Sequence, residues 1–257
     1  MSRRIRTFIC MLLLLPVALV LACSGASQPP AEQPKPAEPP KPVVDVASHM
    51  HEHLARVTAM QEAVIRGDLE AAVEPAKWIA EHQETGGLPA GTETFVAYMK
   101  KQAAAVAEAK DLKNAGTATA MTLSYCGSCH AAAKVTPQMA EPAMPAAKGA
   151  AEAHMLEHQR ATDLMYQGLT MPSDERWQKG LAAMQGSPLA EKDLPKDAKL
   201  TREIVALEKK VHELAAKAKT TTDLGTRVAL YGEYLSGCAG CHSLHGKVWG
   251  PGLPKTQ

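Results

Sequence analysis

Apolar residues recur at helical spacing along most of the chain after its first fifty residues. Between His49 and Arg66 the inward positions are 50, 54, 57, 60 and 64, which follow the 3.6-residue period of an amphipathic helix. Ala, Glu, Lys, Leu and Met dominate and β-branched runs are scarce, so the chain favours helices over strands. The predicted helices cover 49–66, 69–83, 93–112, a fourth segment after 116 that carries two cysteines, 151–169, 174–185, 199–219 and 224–243.

Local signals predict where the helices begin and end. Gly67 and Asp68 end the first helix, and Asp68 can cap the next one. Pro75 must either kink the second helix or lie in its first turn. The segment 114–116 is expected to break the chain before the fourth helix. Four helices joined by short loops predict an antiparallel four-helix bundle, so the fold class is all-α.

The chain contains a tandem repeat. The residues His49-Met50-His51-Glu52-His53 recur 105 positions later as His154-Met155-Leu156-Glu157-His158. Residues 96–101 recur 109 positions later, and 123–130 recur 112 positions later, in the same order and with a slowly growing offset. Three matches in register predict two four-helix bundles, one over 48–136 and one over 148–257, joined by a Pro/Ala-rich linker over 137–147.

The first 22 residues are typical of a secretory signal. Three arginines precede an apolar run that ends at Ala22 and is too short to cross a membrane as a helix. The sequence Val20-Leu21-Ala22-Cys23-Ser24 resembles the bacterial lipoprotein box. The resemblance implies that Cys23 is acylated and anchors the protein in the periplasm, to the outer membrane more than to the inner one because Ser24 is not Asp. Ordinary cleavage near Ala26 is the alternative.

Composition narrows the function further. The tether over 23–47 is rich in proline and forms a semi-rigid spacer without a core. The whole chain of 257 residues has a net charge of +1, and removal of 1–22 leaves −2, so nucleic-acid binding is not expected. Only 4% of the residues are aromatic, which is few for two hydrophobic cores.

Four of the six cysteines form two Cys-x-x-Cys-His motifs, at Cys126, Cys129 and His130 and at Cys238, Cys241 and His242. This pattern indicates c-type haem attachment. The two thiols can add to the vinyl groups of one porphyrin, and the histidine can bind its iron as the proximal ligand. A redox dithiol would leave the histidines unexplained, and a zinc site would have to bridge two distant motifs. Two covalent haems would also fill cores that contain few aromatic residues.

The motifs and their helical setting resemble the class II cytochromes c, the cytochrome c-prime type. The resemblance covers about 48–134 and 150–247 and implies one haem near the end of the fourth helix of each bundle. It also implies that the first helix of each bundle supplies the distal side of the haem. Met50 and Met155 are therefore the predicted distal ligands, and His53 and His158 are the alternative ligands. An open or weakly ligated iron is the third possibility.

These features predict a di-haem cytochrome that transfers single electrons between periplasmic or membrane redox proteins and is not an enzyme. A cytochrome c-prime-like protein that binds NO or CO at an open distal site is an alternative. An electron-transfer subunit of a larger reductase and a di-haem peroxidase are others. Class II bundles often pair through their helices, so a dimer is also left open.

Overall fold

The computed structural model describes residues 45–82, 88–186, 188–194 and 196–249. The signal over 1–22, Cys23 and the tether up to residue 44 lie outside the described residues. The described part contains eight α-helices, a short 3-10 helix at Glu191–Asp193, and no strand. The helices are α1 Val46–Ile65, α2 Leu69–Glu81, α3 Glu93–Glu108, α4 Leu112–Ala133, α5 Ala150–Thr170, α6 Asp174–Ala183, α7 Ala198–Ala218 and α8 Leu224–Trp249.

This architecture confirms the all-α prediction, and short polar side chains explain where several helices begin. The carboxylate of Asp68 accepts a hydrogen bond from the backbone N–H of Ala71 at 2.9 Å. Such an N-cap satisfies one of the donors that the first helical turn leaves without an intrahelical partner. Side chains cap four more helices in the same way, α1 at Asp45, α4 at Asp111, α6 at Ser173 and α7 at Asp197.

Two local expectations can be compared with the described helices. The predicted break at 114–116 is wrong, because α3 already ends at Glu108 and Asp111 caps α4 through Asn114 N at 2.8 Å. Gly116 therefore lies inside α4, where it serves packing. A Cβ on Gly116 would lie 2.7 Å from the carbonyl oxygen of Gly232, so α4 and α8 approach each other closely there. Pro75 lies in the interior of α2 and is buried.

The helices pack in chain order, and the two cysteine-bearing helices join the two halves. Helix α1 contacts α2, α2 contacts α3, α3 contacts α4, and α1 also contacts α4. In the second half α5 contacts α6, α6 contacts α7, and α7 contacts α8. Helix α4 runs along α8, and all described residues belong to one compact unit.

Two corresponding contacts cross between the halves. A Cβ on Gly127 of α4 would lie 2.0 Å from the carbonyl oxygen of Leu169, so the end of α5 rests on the first motif. A Cβ on Gly67, just after α1, would lie 3.1 Å from the carbonyl oxygen of Ala239 in the second motif. Gly127 and Ala239 are equivalent under the offset of 112 residues. Each half therefore places the end of its first helix against the cysteine motif of the other half.

Candidate haem-binding site

The first motif lies at the end of α4, where the helical geometry sets the direction of its side chains. Cys126 and Cys129 are three residues apart, so they share one face of the helix, and His130 lies next to them. The helix ends beyond the motif because Lys134 adopts a left-handed conformation with φ of 56°. All three side chains of the motif are half-buried.

A largely apolar cavity of about 560 Å³ lies against this motif. Its size falls within the range of small-molecule and cofactor sites, about 300–1,000 Å³. Helices α1, α3, α4 and α5 and the segment after α4 all contribute to its walls. Its lining includes Met50, His51, His53, Leu54, Val57, Phe95, Val96, Met99, Tyr125, Cys126, Cys129, His130, Val135, Pro137, Met139, Tyr166 and Thr170.

His130 is oriented by a residue from the other half of the chain. Its Nδ1 lies 2.8 Å from the carbonyl oxygen of Thr170, at the end of α5. Because a carbonyl only accepts hydrogen bonds, Nδ1 must carry the proton and donate it. A neutral imidazole in this tautomer has its free lone pair on Nε2, the atom that can bind a metal. The contact of α5 with Gly127 therefore also fixes the ring of His130.

Three of the four motif thiols have pKa values well above the ordinary range. Burial, reinforced by the neighbouring Cys129, raises the pKa of Cys126 to about 12. Burial and Cys241 raise the pKa of Cys238 to about 12, and burial raises that of Cys241 to about 11. Reactive redox dithiols have a lowered thiol pKa, so these values argue against a thiol–disulfide exchange centre.

The structure brings the predicted distal residues of the first half to the same cavity as the motif. Met50 and His53 both line it, and His53 is buried. Met99 and Met139 line the cavity as well, and the sequence analysis missed both. The Sδ of Met99 lies 3.7 Å from the Sγ of Cys126. No helical stripe marks Met139, because it lies in the Pro/Ala-rich segment after α4.

That segment, predicted as a linker over 137–147, is attached to α5. The carbonyl oxygen of Ala140 accepts a hydrogen bond from Gln167 Nε2 at 2.8 Å, and Glu141 pairs with Arg160 at 2.9 Å. These contacts hold the part of the linker that forms a wall of the cavity.

The second motif lies in α8 and is packed more tightly. Cys238 is buried, while Cys241 and His242 are half-buried. A Cβ on Gly237 would lie 2.7 Å from Val211 Cγ2 of α7, so α7 covers this face of the motif. In α5, which carries the second copy of the histidine-rich repeat, His154 is buried and Met155 is half-buried. Burial, reinforced by His154 and His212, lowers the pKa of His158 to about 3, and His242 lies close enough to contribute.

Histidines gather beside both motifs in a way the sequence analysis did not predict. In the first half, one ring nitrogen from each of three histidines lies within 4.8 Å of the others, and we call His49, His53 and His82 the α1–α2 cluster. The second half has a four-residue group with the same spacing, the α5–α7 cluster, formed by His154, His158, Glu208 and His212. His82 and His212 stand alone in the sequence, which predicts lone surface groups, and the two clusters show that this prediction is wrong.

No protein-family model, curated protein or solved structure matches this chain. Among the described helices, none combines the length and the apolar character that crossing a membrane requires.

Proposed function

We propose that this chain is a di-haem c-type cytochrome that transfers single electrons between redox partners in the bacterial cell envelope. One observation carries the proposal: Cys126, Cys129, an oriented His130 and Met50 all line one apolar cavity of about 560 Å³. In this proposal the chain forms two tandem class II-like four-helix bundles. The corresponding contacts of Gly127 and Gly67 with the opposite halves support the tandem repeat.

The residues of the first site fit the group that the motif implies. Cys126 and Cys129 would hold haem by two thioether bonds, and His130 Nε2 would bind its iron. When bound, haem supplies an iron that takes up and releases one electron. The carbonyl of Thr170 keeps His130 in the tautomer that can ligate, and such outer hydrogen bonds also raise the basicity of the ligand. Cys238, Cys241 and His242 would form the second site, because they share the spacing and the helix of the first.

We take Met50 and Met155 as the distal ligands, with His53 and His158 as the alternatives. Met50 at the first cavity supports this assignment, and His53 lies at the same cavity. The second half supports it less directly, since His158 belongs to the α5–α7 cluster and Met155 is half-buried. A thioether ligand would raise the potential of a haem and would occupy the place that a gas needs, which suits electron transfer better than gas binding.

The location of the protein follows from the segment that precedes the described residues. In the proposal Cys23 carries lipid, and the proline-rich sequence that follows it separates the haem domains from the membrane. The tether predicted over 23–47 is too long at its end, because α1 already begins at Val46.

Absorption spectra of the purified holoprotein, with and without carbon monoxide, test the proposal. We expect low-spin bands, a Met–iron charge-transfer band in the ferric state, and no shift on addition of carbon monoxide to the ferrous state. Met50→Ala should abolish part of the charge-transfer band and open one iron to carbon monoxide. Met144→Ala, at an exposed linker methionine, is the matched control and should change neither. High-spin wild-type iron that binds carbon monoxide would contradict electron transfer and favour gas binding.

A further inference from the structure

The α5–α7 cluster has the composition of a transition-metal site. His154 and His158 are four residues apart on α5, and Glu208 and His212 are four residues apart on α7, so each pair lies on one helical face. Two ligands separated by one helical turn are a recurrent arrangement in zinc sites. Here two such pairs face each other, and their four ligand atoms lie within 4.8 Å of one another.

Hydrogen bonds from outside the cluster orient two of its members. The Nδ1 of His212 donates to the carbonyl oxygen of Met184 at 2.7 Å, which leaves the lone pair on Nε2. That Nε2 atom is buried and has no hydrogen-bond partner in the structure, and the same holds for Nε2 of His158. The backbone N–H of Leu189 donates to Glu208 Oε1 at 2.8 Å. Metal-binding histidines and carboxylates are commonly held by partners of this kind.

We propose that the α5–α7 cluster binds one divalent transition-metal ion of the zinc and copper class. Three imidazoles and one carboxylate match the ligand set that Zn²⁺ takes in tetrahedral sites. Ligand atoms about 2.0–2.1 Å from such an ion are roughly 3.3 Å apart, so modest side-chain movements close the site around the metal. The ion would also neutralise the carboxylate of Glu208, which is 7% exposed and lies 2.7 Å from His154 Nε2.

An ion can reach the cluster from the surface. A cavity of about 470 Å³ borders Glu208 and His212 and is also lined by the exposed residues Lys209 and Glu213. Access of this kind is one requirement for a plausible metal site. The α1–α2 cluster has three histidines but no carboxylate, so we expect it to bind the same ion more weakly.

When Met50 and Met155 are the distal ligands, none of the four proposed metal ligands binds haem iron, so one experiment can separate the two proposals. A chelator first removes loosely bound metal from the full-length holoprotein, which is then incubated with ZnCl₂ and desalted. Elemental mass spectrometry then gives the zinc and iron content per chain. Iron reports haem content and serves as the folding control for each variant. We expect one zinc per wild-type chain, and loss of most of the retained zinc in both Glu208→Gln and His212→Gln, because each change removes a ligand.

Two matched variants serve as controls. Glu213→Gln makes the same chemical change at the mouth of the cavity, and His82→Gln does so in the α1–α2 cluster, and both should retain the tightly bound zinc. A wild-type chain that retains no zinc would overturn the proposal. The same holds if all variants retain the same amount of zinc, or if only His82→Gln loses it. Zinc bound without any iron would keep the metal site but refute the proposed haem function.

Discussion

Replacement of Gly127 by alanine should separate α5 from the first cysteine motif. The new Cβ would lie 2.0 Å from the carbonyl oxygen of Leu169, whereas ordinary contacts begin at 3.4 Å. The end of α5 would have to retreat by about 1.4 Å if α4 stayed in place. A shift of this size would stretch the 2.8 Å hydrogen bond from His130 to Thr170 beyond the usual limit of about 3.2 Å.

The expected loss of stability follows from three contributions. Overpacking costs about 1–3 kcal/mol, and a lost hydrogen bond costs about 0.5–1.5 kcal/mol. Alanine is more stable than glycine inside a helix by about 0.5–1 kcal/mol, which offsets part of the loss. The net effect is about 2 kcal/mol, which corresponds to a decrease in Tm of roughly 4–8 °C for a protein of this size.

Thermal unfolding and redox titration of the holoprotein measure the two consequences. We expect a lower Tm and a higher potential for the first haem, because His130 becomes less basic when its Nδ1–H loses the carbonyl acceptor. Ala239 occupies the equivalent position of the second motif, so alanine at Gly127 does not disturb the spacing needed for attachment.

Gly149→Ala is the matched control. A Cβ there meets nothing within 4 Å, so only the poorer N-cap of α5 remains, and the stability should fall by no more than about 1 kcal/mol. If Gly127→Ala kept both the Tm and the potential of the wild type, the contact between α5 and the first motif would be refuted.

Three other changes probe separate parts of the account. Asp111→Ala removes the N-cap that accepts from Asn114, and urea denaturation should show a loss of about 1 kcal/mol. Burial raises the pKa of Asp163 to about 6 despite a hydrogen bond from Gln159, so its ionisation destabilises the fold as pH rises from about 4 through 6. Asp163→Asn should therefore gain on the order of 2 kcal/mol at pH 7.5 and little at pH 4; an equal gain at both would contradict that burial effect. Cys23→Ser should move the protein from the membrane to the soluble fraction, and retention on the membrane would refute the lipid anchor.

Most helix boundaries could be predicted because they depend on local chemistry. Asp68 caps α2 as expected, and the inward stripe of α1 at Val57, Met60 and Val64 is buried. The predicted break at 114–116 is wrong because of tertiary packing. Asn and Gly are poor helix formers, but Gly116 is needed where α4 meets α8, and the packing of the two helices outweighs the local preference.

The site was only partly predictable from the sequence. The spacing of Cys126, Cys129 and His130 is local, so the motif could be identified without a structure. The partner of His130 is forty residues away in the other half, and Met139 reaches the cavity from an irregular segment. His212 joins His154 only because α5 and α7 come together, and no periodicity in either helix signals that contact.

The number of covalent haems per chain decides whether this protein is a di-haem cytochrome. Intact-protein mass spectrometry and a pyridine haemochrome assay should both find two haems in the wild type. The double variant Cys126→Ala, Cys129→Ala should keep one haem, and Cys238→Ala, Cys241→Ala should keep the other. If the wild-type chain carries one haem or none after expression in a host that attaches c-type haem, the protein is not a di-haem cytochrome.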